Sequence, residues 1–133
     1  MPITPEDFFA AALALNRLEP PPVSDEVCAR TMAGRIYYAA YLATREAIRQ
    51  QLGKGDFDVS HTALVAELRH ARDEDVREVG ARLRTLKRLR DSADYKPHCR
   101  LTKLSVALRM RDARFVLDEV GKLRGRFPQI PSW

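Results

Sequence analysis

The stretch DEVCARTMAGRIYYAAYLATREAIRQQL, residues 25–52, decides the fold class. Its small and apolar residues recur at spacings of three and four, the period of an α-helix that turns one side toward a core. The residues on this side are Ala29, Met32, Ile36, Ala40, Ala43 and Ala47. Because they are small, a neighbouring helix can approach closely. We therefore expect a long helix over about 25–52, capped by Ser24, in an all-α protein.

Prolines and capping residues divide the rest of the chain into four further helices. Thr4 and Pro5 begin a helix that runs to about Leu18, and EPPPVSDE then forms a stiff loop because prolines cannot continue a helix. After the break at GKGDFDVS, Ser60 caps a third helix, HTALVAELRH, and Asp73 caps a fourth. A fifth helix covers about 101–126. Short connections favour antiparallel neighbours, so we expect an up-down bundle of four or five helices.

Apolar stripes on the last two long helices complete the predicted core. The fourth helix contributes Val76, Val79, Leu83, Leu86 and Leu89. The fifth contributes Leu104, Leu108, Phe115, Val120 and Leu123. A chain of 133 residues is long enough for one such core, and we expect a single domain over 1–133, with its core in 25–126 and an N-terminal helix over 5–18.

Composition narrows the class of protein. With 45% hydrophobic and 31% charged residues the chain is typical of globular proteins, and its net charge of +5 gives a modest preference for anionic partners. The start has no basic leader and no apolar run is of membrane-spanning length, so we expect a cytoplasmic protein without membrane contact. Two cysteines and three scattered histidines have no metal-type spacing, and we expect no metal or other cofactor.

The stretch LRTLKRLRDSADYKPHC, residues 83–99, contains the candidate site. At about 100° per residue Arg90 points between Leu83 and Leu86, into the apolar arc, where an unpaired charge is costly. Asp91 and Asp94 are the nearest partners in sequence. Two interpretations stay open: an internal ion pair that closes the helix, or an arginine held ready for phosphate, whose oxygens its planar fork suits.

Three segments in this order resemble the HEPN superfamily (higher eukaryotes and prokaryotes nucleotide-binding), above all its small stand-alone bacterial members. They are GRIYYAAYLATREAI, SHTALVAEL and LKRLRDSADY. The positions that match are Tyr37, Tyr38, His61, Arg90, Ala93, Asp94 and Tyr95. The resemblance covers about residues 25–120 and implies a HEPN-like helical bundle, often a homodimer, in which these helix ends meet at a cleft.

The resemblance also implies a function in toxin–antitoxin or defence systems, directed at RNA or a nucleotide. Many members cleave RNA without metal through an arginine, a polar residue and a later histidine. Arg90-Asp91 matches the start of that signature, but Tyr95 stands where a histidine would follow, and His98 comes only beyond Pro97. Tyrosine, with an unperturbed pKa of about 10, is a poor base, so the change argues against ordinary ribonuclease activity.

The residues that would carry such a function are few. Arg90, Tyr95 and His61 are the catalytic candidates, with His98 a substitute base only if its loop folds back. Arg90, Asp91, Asp94, Tyr38 and Arg45 are the candidates for binding nucleic acid. Each has a simpler interpretation: His61 as a solvated first-turn residue, and Tyr38, Arg45 and Arg49 as a solvated or packed flank.

Two function hypotheses from different classes remain. One is a HEPN-type protein directed at RNA or a nucleotide, with a nucleotidyltransferase-type partner that would add AMP to Tyr95, at a position not equivalent to the modified tyrosine of the family. The other is a non-catalytic helical dimer that binds a partner protein.

The basic run Arg82, Arg84, Lys87, Arg88 and Arg90 scatters around its helix, so we expect mostly a solvated face.

Overall fold

The computed structural model describes residues 3–18, 24–53 and 60–129, and within these ranges it is helical with no strand. Five α-helices follow one another: α1 Pro5–Arg17, α2 Asp25–Leu52, α3 His61–Arg69, α4 Glu74–Tyr95 and α5 Lys103–Glu119. A 3₁₀ turn, Val120–Leu123, follows α5. The predicted all-α helical bundle is confirmed. The loop predicted from the three prolines and the break after Gly53 fall mainly on residues outside the described ranges.

The predicted caps begin the helices. In α1 the Thr4 hydroxyl accepts from the Asp7 amide, and the Asp7 carboxylate accepts from the Thr4 amide at 2.8 Å. These reciprocal bonds form a capping box. The side chains of Ser24, Ser60 and Asp73 accept from amides in the first turns of α2, α3 and α4. Local polar chemistry therefore fixes where each of these helices begins.

The core lies where α2 packs against α1, α4 and α5, while α3 packs on α4. The predicted stripe of α2 is buried except for Ala43, which packs partly buried at the edge. The first four residues of the α4 stripe are fully buried, and Leu89 is partly buried. Among the fully buried side chains Tyr37 is the largest, and it carries a hydroxyl into the interior.

The predicted core face of α5 is wrong in its first half. Leu104 and Leu108 are 72% and 47% exposed. The helix instead buries Val106, Met110, Ala113 and Val116, a stripe that continues through Val120, Leu123 and Phe127. The prediction combined two apolar ridges, because Leu104 and Leu108 share a side with each other but not with Val120 and Leu123. The helix also ends earlier than predicted, at Glu119, before the 3₁₀ turn.

A glycine sets the spacing between α3 and α4. A Cβ atom added at Gly80 would lie 2.7 Å from the Arg69 amide nitrogen and 2.8 Å from the Leu68 carbonyl carbon. Both are backbone atoms, which cannot rotate away. The close approach therefore requires glycine, and it holds the end of α3 directly against α4.

None of the described helices combines the length and the apolar character needed to cross a lipid bilayer.

Candidate functional site

The end of α4 is held by an arginine from α2. The Arg30 guanidinium donates to the carbonyl oxygens of Ala93 at 2.8 Å and Cys99 at 2.5 Å, with longer bonds to Ser92, Lys96 and Pro97. Glu26 pairs with Arg30 at 2.8 Å and also accepts from the Leu101 amide. The Ser92 and Lys96 carbonyls also accept from the Lys96 and Cys99 amides, and Arg30 adds donors for carbonyls at the end of α4 and in the loop after it.

Arg90 lies one turn before this end, against aromatic rings. Its guanidinium carbon lies 5.9, 5.8 and 5.7 Å from the ring centroids of Tyr37, Tyr38 and Tyr95. The side chain is only 17% exposed. The faces of electron-rich rings stabilise a cation that has lost most of its water. Although burial works against the charge, Tyr38 and Asp94 raise the pKa of Arg90.

The ion pairs of Arg90 are loose in geometry. Its Nε lies 2.9 Å from Asp94 Oδ2, and its Nη1 lies 3.4 Å from Asp91 Oδ1. The Nε–H nevertheless has no aligned acceptor among the described residues, although the nitrogen is covered from solvent. The short distance to Asp94 is therefore a charge contact rather than a hydrogen bond, since direction matters as well as distance. Both aspartates lie partly in solvent, where an anion can compete with them.

His61, the first residue of α3, faces the same cluster. Its Nδ1 lies 2.7 Å from the Tyr37 hydroxyl, and its ring centroid lies 3.9 Å from that of Tyr41. The Tyr38 ring meets it edge to face at 6.2 Å. The interpretation of His61 as a merely solvated first-turn residue is therefore wrong. Its ring is half-buried among three tyrosines. The sequence pattern alone does not predict that α2 and α3 meet at this ring.

Burial and nearby cations favour the neutral form of His61. Burial lowers the pKa of His61, Arg90 and Lys87 lower it further, and Asp91 opposes them. Burial likewise raises the pKa of Tyr37 far above its usual range, so this hydroxyl stays protonated. The field at the His61 ring is positive because its cationic neighbours outweigh the one carboxylate.

The bond between Tyr37 and His61 also selects a tautomer. Tyr37 is fully buried, and among the described residues His61 is the partner of its hydroxyl. A buried hydroxyl proton needs an acceptor, so Tyr37 donates to Nδ1 and the ring proton lies on Nε2. In that form Nε2 is a hydrogen-bond donor. It can hold a phosphate oxygen but cannot take a proton from a ribose hydroxyl.

The remaining predicted site residues lie at the edge of the cluster or away from it. Tyr95 is 69% exposed and covers Arg90 from the solvent side. Arg45 lies near enough to contribute to the lowered pKa of His61. Arg49 pairs with Glu46. His98 is exposed, and within the described ranges it makes no hydrogen bond or ring contact with the cluster.

Sequence reasoning missed Arg30, whose carbonyl partners lie more than 60 residues away. Nothing in a single sequence marks such a contact. Tyr41 was not among the predicted site residues, although its ring lies closest to His61. In the described part of the chain, no group of three histidine, cysteine, aspartate or glutamate side chains is arranged to hold a metal ion.

Comparison of the chain with protein-family models, with curated proteins and with solved structures gave no match.

Proposed function

We propose that this chain is a HEPN-like RNA-binding protein of the toxin–antitoxin or defence type, and that its Arg90 cluster holds RNA without cleaving it. The observation that supports this most directly is the donor set at the end of α4. Arg90 contributes a guanidinium that is 17% exposed and pairs only with partly solvated aspartates, and His61, within reach of its charge, contributes an Nε2–H. Phosphate oxygens accept from guanidinium and imidazole donors, and the exposed Tyr95 ring offers a surface on which a base stacks.

Cleavage without metal requires a base as well as a cation. The one histidine in the described cluster donates through Nε2, and among the described residues the charged group in contact with the Tyr95 ring is Arg90. The absent motif histidine and the tautomer of His61 therefore favour binding over hydrolysis. The exposed ring of Tyr95 leaves its hydroxyl accessible to a modifying nucleotidyltransferase, in accordance with the partner that the resemblance implies.

Fluorescence anisotropy with a short, mixed-sequence, single-stranded RNA tests the proposal, with a chelator present and RNA integrity checked on a gel. Wild type should bind and leave the RNA intact. Arg90→Gln, which keeps a polar side chain but a shorter one without charge, should weaken binding about tenfold. Arg111→Gln is the control, since Arg111 is an exposed arginine of α5 with no ion pair in the described ranges. Equal affinity of Arg90→Gln and wild type would refute the proposed site, and cleaved RNA would refute binding without hydrolysis.

A non-catalytic helical dimer remains the second candidate function, and one observation favours it. Leu104 and Leu108 stand one turn apart on the outer side of α5, both exposed. A pair of exposed leucines on one helix face is typical of a contact with another helix. Sedimentation equilibrium of wild type against Leu104→Lys/Leu108→Lys tests it: the proposed dimer would dissociate in the variant, and a wild-type monomer would exclude it.

A further inference from the structure

A groove between α3 and α4 begins beside the Arg90 cluster. It encloses about 230 Å³, and Val65 and Ala66 of α3 are among the residues that line it. Its cations are Arg69 from α3 and Arg84, Lys87 and Arg88 from α4. Asp91, which also contacts Arg90, lies at one end. The groove and the Arg90 cluster therefore share a boundary residue.

The charge of this groove is poorly compensated. Lys87 pairs with Asp91 at 2.9 Å, but Arg69, Arg84 and Arg88 have no ion pair within the described part of the chain. Elsewhere arginines of the same helices are paired, for example Arg82 with Glu78 and Asp112. Partial removal from water lowers the pKa of Arg84, and the like charges of Arg69 and Arg88 lower it further. The three guanidinium groups thus repel one another, since the carboxylate that lines the described groove, that of Asp91, pairs with Lys87.

The backbone holds these cations together despite that repulsion. Gly80 lets α4 approach the amide of Arg69 so closely that no other residue fits without a shift. Arg84 and Arg88 stand one turn apart on α4, and the helix from Arg84 to Asp91 rises about 10 Å. That length accommodates more than one phosphate of a nucleic-acid strand, whose charges repeat at a few ångströms.

We infer that the α3–α4 groove binds the sugar-phosphate backbone of a single RNA strand and leads it to the Arg90 cluster. This inference rests on the proposed function and extends its site from one phosphate to a strand. Arg69, Arg84 and Arg88 contact successive phosphates, while the exposed ring of Tyr95 beside Arg90 receives a base. RNA is favoured over an acidic peptide because the groove leads to the exposed ring of Tyr95, which can stack on a base but offers nothing to a carboxylate chain.

Titrations of oligouridylate over a range of salt concentrations test the inference with the full chain. Arg84→Gln/Arg88→Gln should weaken binding by a factor of about ten or more, and should reduce the slope of log affinity against log salt by about 1.4, since each lost phosphate contact removes about 0.7. The same variant should fold as stably as wild type or more so, because it relieves repulsion. Arg111→Gln should change neither quantity.

The outcomes separate the two proposals. Loss of affinity in Arg90→Gln with an unchanged salt slope in the groove variant would overturn the groove and leave the proposed function standing. Loss in the groove variant alone would keep the groove and overturn the Arg90 site. Absence of RNA binding by folded wild type would overturn both. Polyglutamate binding as tightly as RNA at the same salt would overturn RNA as the occupant.

Discussion

The Tyr37 hydroxyl in α2 lies 2.7 Å from Nδ1 of His61 at the start of α3. The backbone of α3 packs on α4. The bond between Tyr37 and His61 connects α3 to α2 as well. It places a neutral imidazole within the field of Arg90, Lys87 and Asp91. The charge of His61 is therefore a sensitive probe of how the cluster is arranged.

Charge changes around His61 should move its pKa in opposite directions. Arg90 lowers the pKa of His61 and Asp91 raises it. Arg90→Gln should therefore bring the pKa back toward 6.5, and Asp91→Asn should lower it further. NMR titration of the imidazole resonances measures both. A shift of the same sign in the two variants would mean that His61 does not face these groups as described.

The same shift predicts a pH dependence of stability. The folded pKa of His61 lies below its ordinary value of 6.5, so the unfolded chain binds the proton more readily. The stabilising contribution is complete above about pH 6.5 and is lost as the pH falls through the folded pKa. Urea unfolding between about pH 7 and pH 5 should show a smaller loss of stability in His61→Gln than in wild type. Glu6 and Glu46 titrate below this window because their pKa values are lowered from 4.5. Parallel curves for the two proteins would contradict the prediction.

Arg30 should be among the most important polar residues for stability. Its side chain is 19% exposed and donates hydrogen bonds to the carbonyl oxygens of Ala93 and Cys99, which have no helical partner. Arg30→Met keeps the length of the side chain but removes every donor, and should cost about 2–4 kcal/mol of unfolding free energy. Arg30→Lys should recover only part of this, since one ammonium cannot replace a planar fork. Chemical denaturation measures both, and hydrogen exchange should increase first around residues 92–101. A cost below that of Arg111→Met would show that the contacts are incidental.

Substitution by alanine at two glycines within helices should change the stability of the protein in opposite directions. Helix propensity favours alanine over glycine by about 1 kcal/mol at an open position. At Gly34 a Cβ meets nothing within 4 Å, so Gly34→Ala should stabilise the protein. At Gly80 it meets backbone atoms of Leu68 and Arg69, and Gly80→Ala should cost about 1–3 kcal/mol despite the better propensity. Thermal unfolding of both variants checks the difference in sign, and stabilisation by both would show that α3 and α4 are less closely packed.

The helices and their beginnings were predictable because local chemistry fixes them. Ser24, Ser60 and Asp73 cap the helices that follow them, and the alanine-rich stripe of α2 has a single period. The partners of Arg90 were predictable for the same reason, since Asp91 and Asp94 are neighbours in sequence. The Tyr37–His61 bond as such was not, and neither was the role of Arg30, because both depend on how separate helices are placed. Leu104 was misassigned because the sequence of α5 offers two apolar ridges and only tertiary packing chooses between them.

Truncation of a residue on each ridge of α5 tests which ridge faces the core. Val106 is fully buried, whereas Leu104, the larger side chain, is 72% exposed. Val106→Ala should destabilise the protein by about 1–3 kcal/mol through lost burial and the cavity left behind. Leu104→Ala should stay within about 0.5 kcal/mol of wild type, since an exposed side chain loses little on truncation. Urea denaturation of the two variants measures the difference at low protein concentration, where self-association cannot contribute. The reverse order of costs would mean that α5 is rotated and that Leu104 and Leu108 face the core.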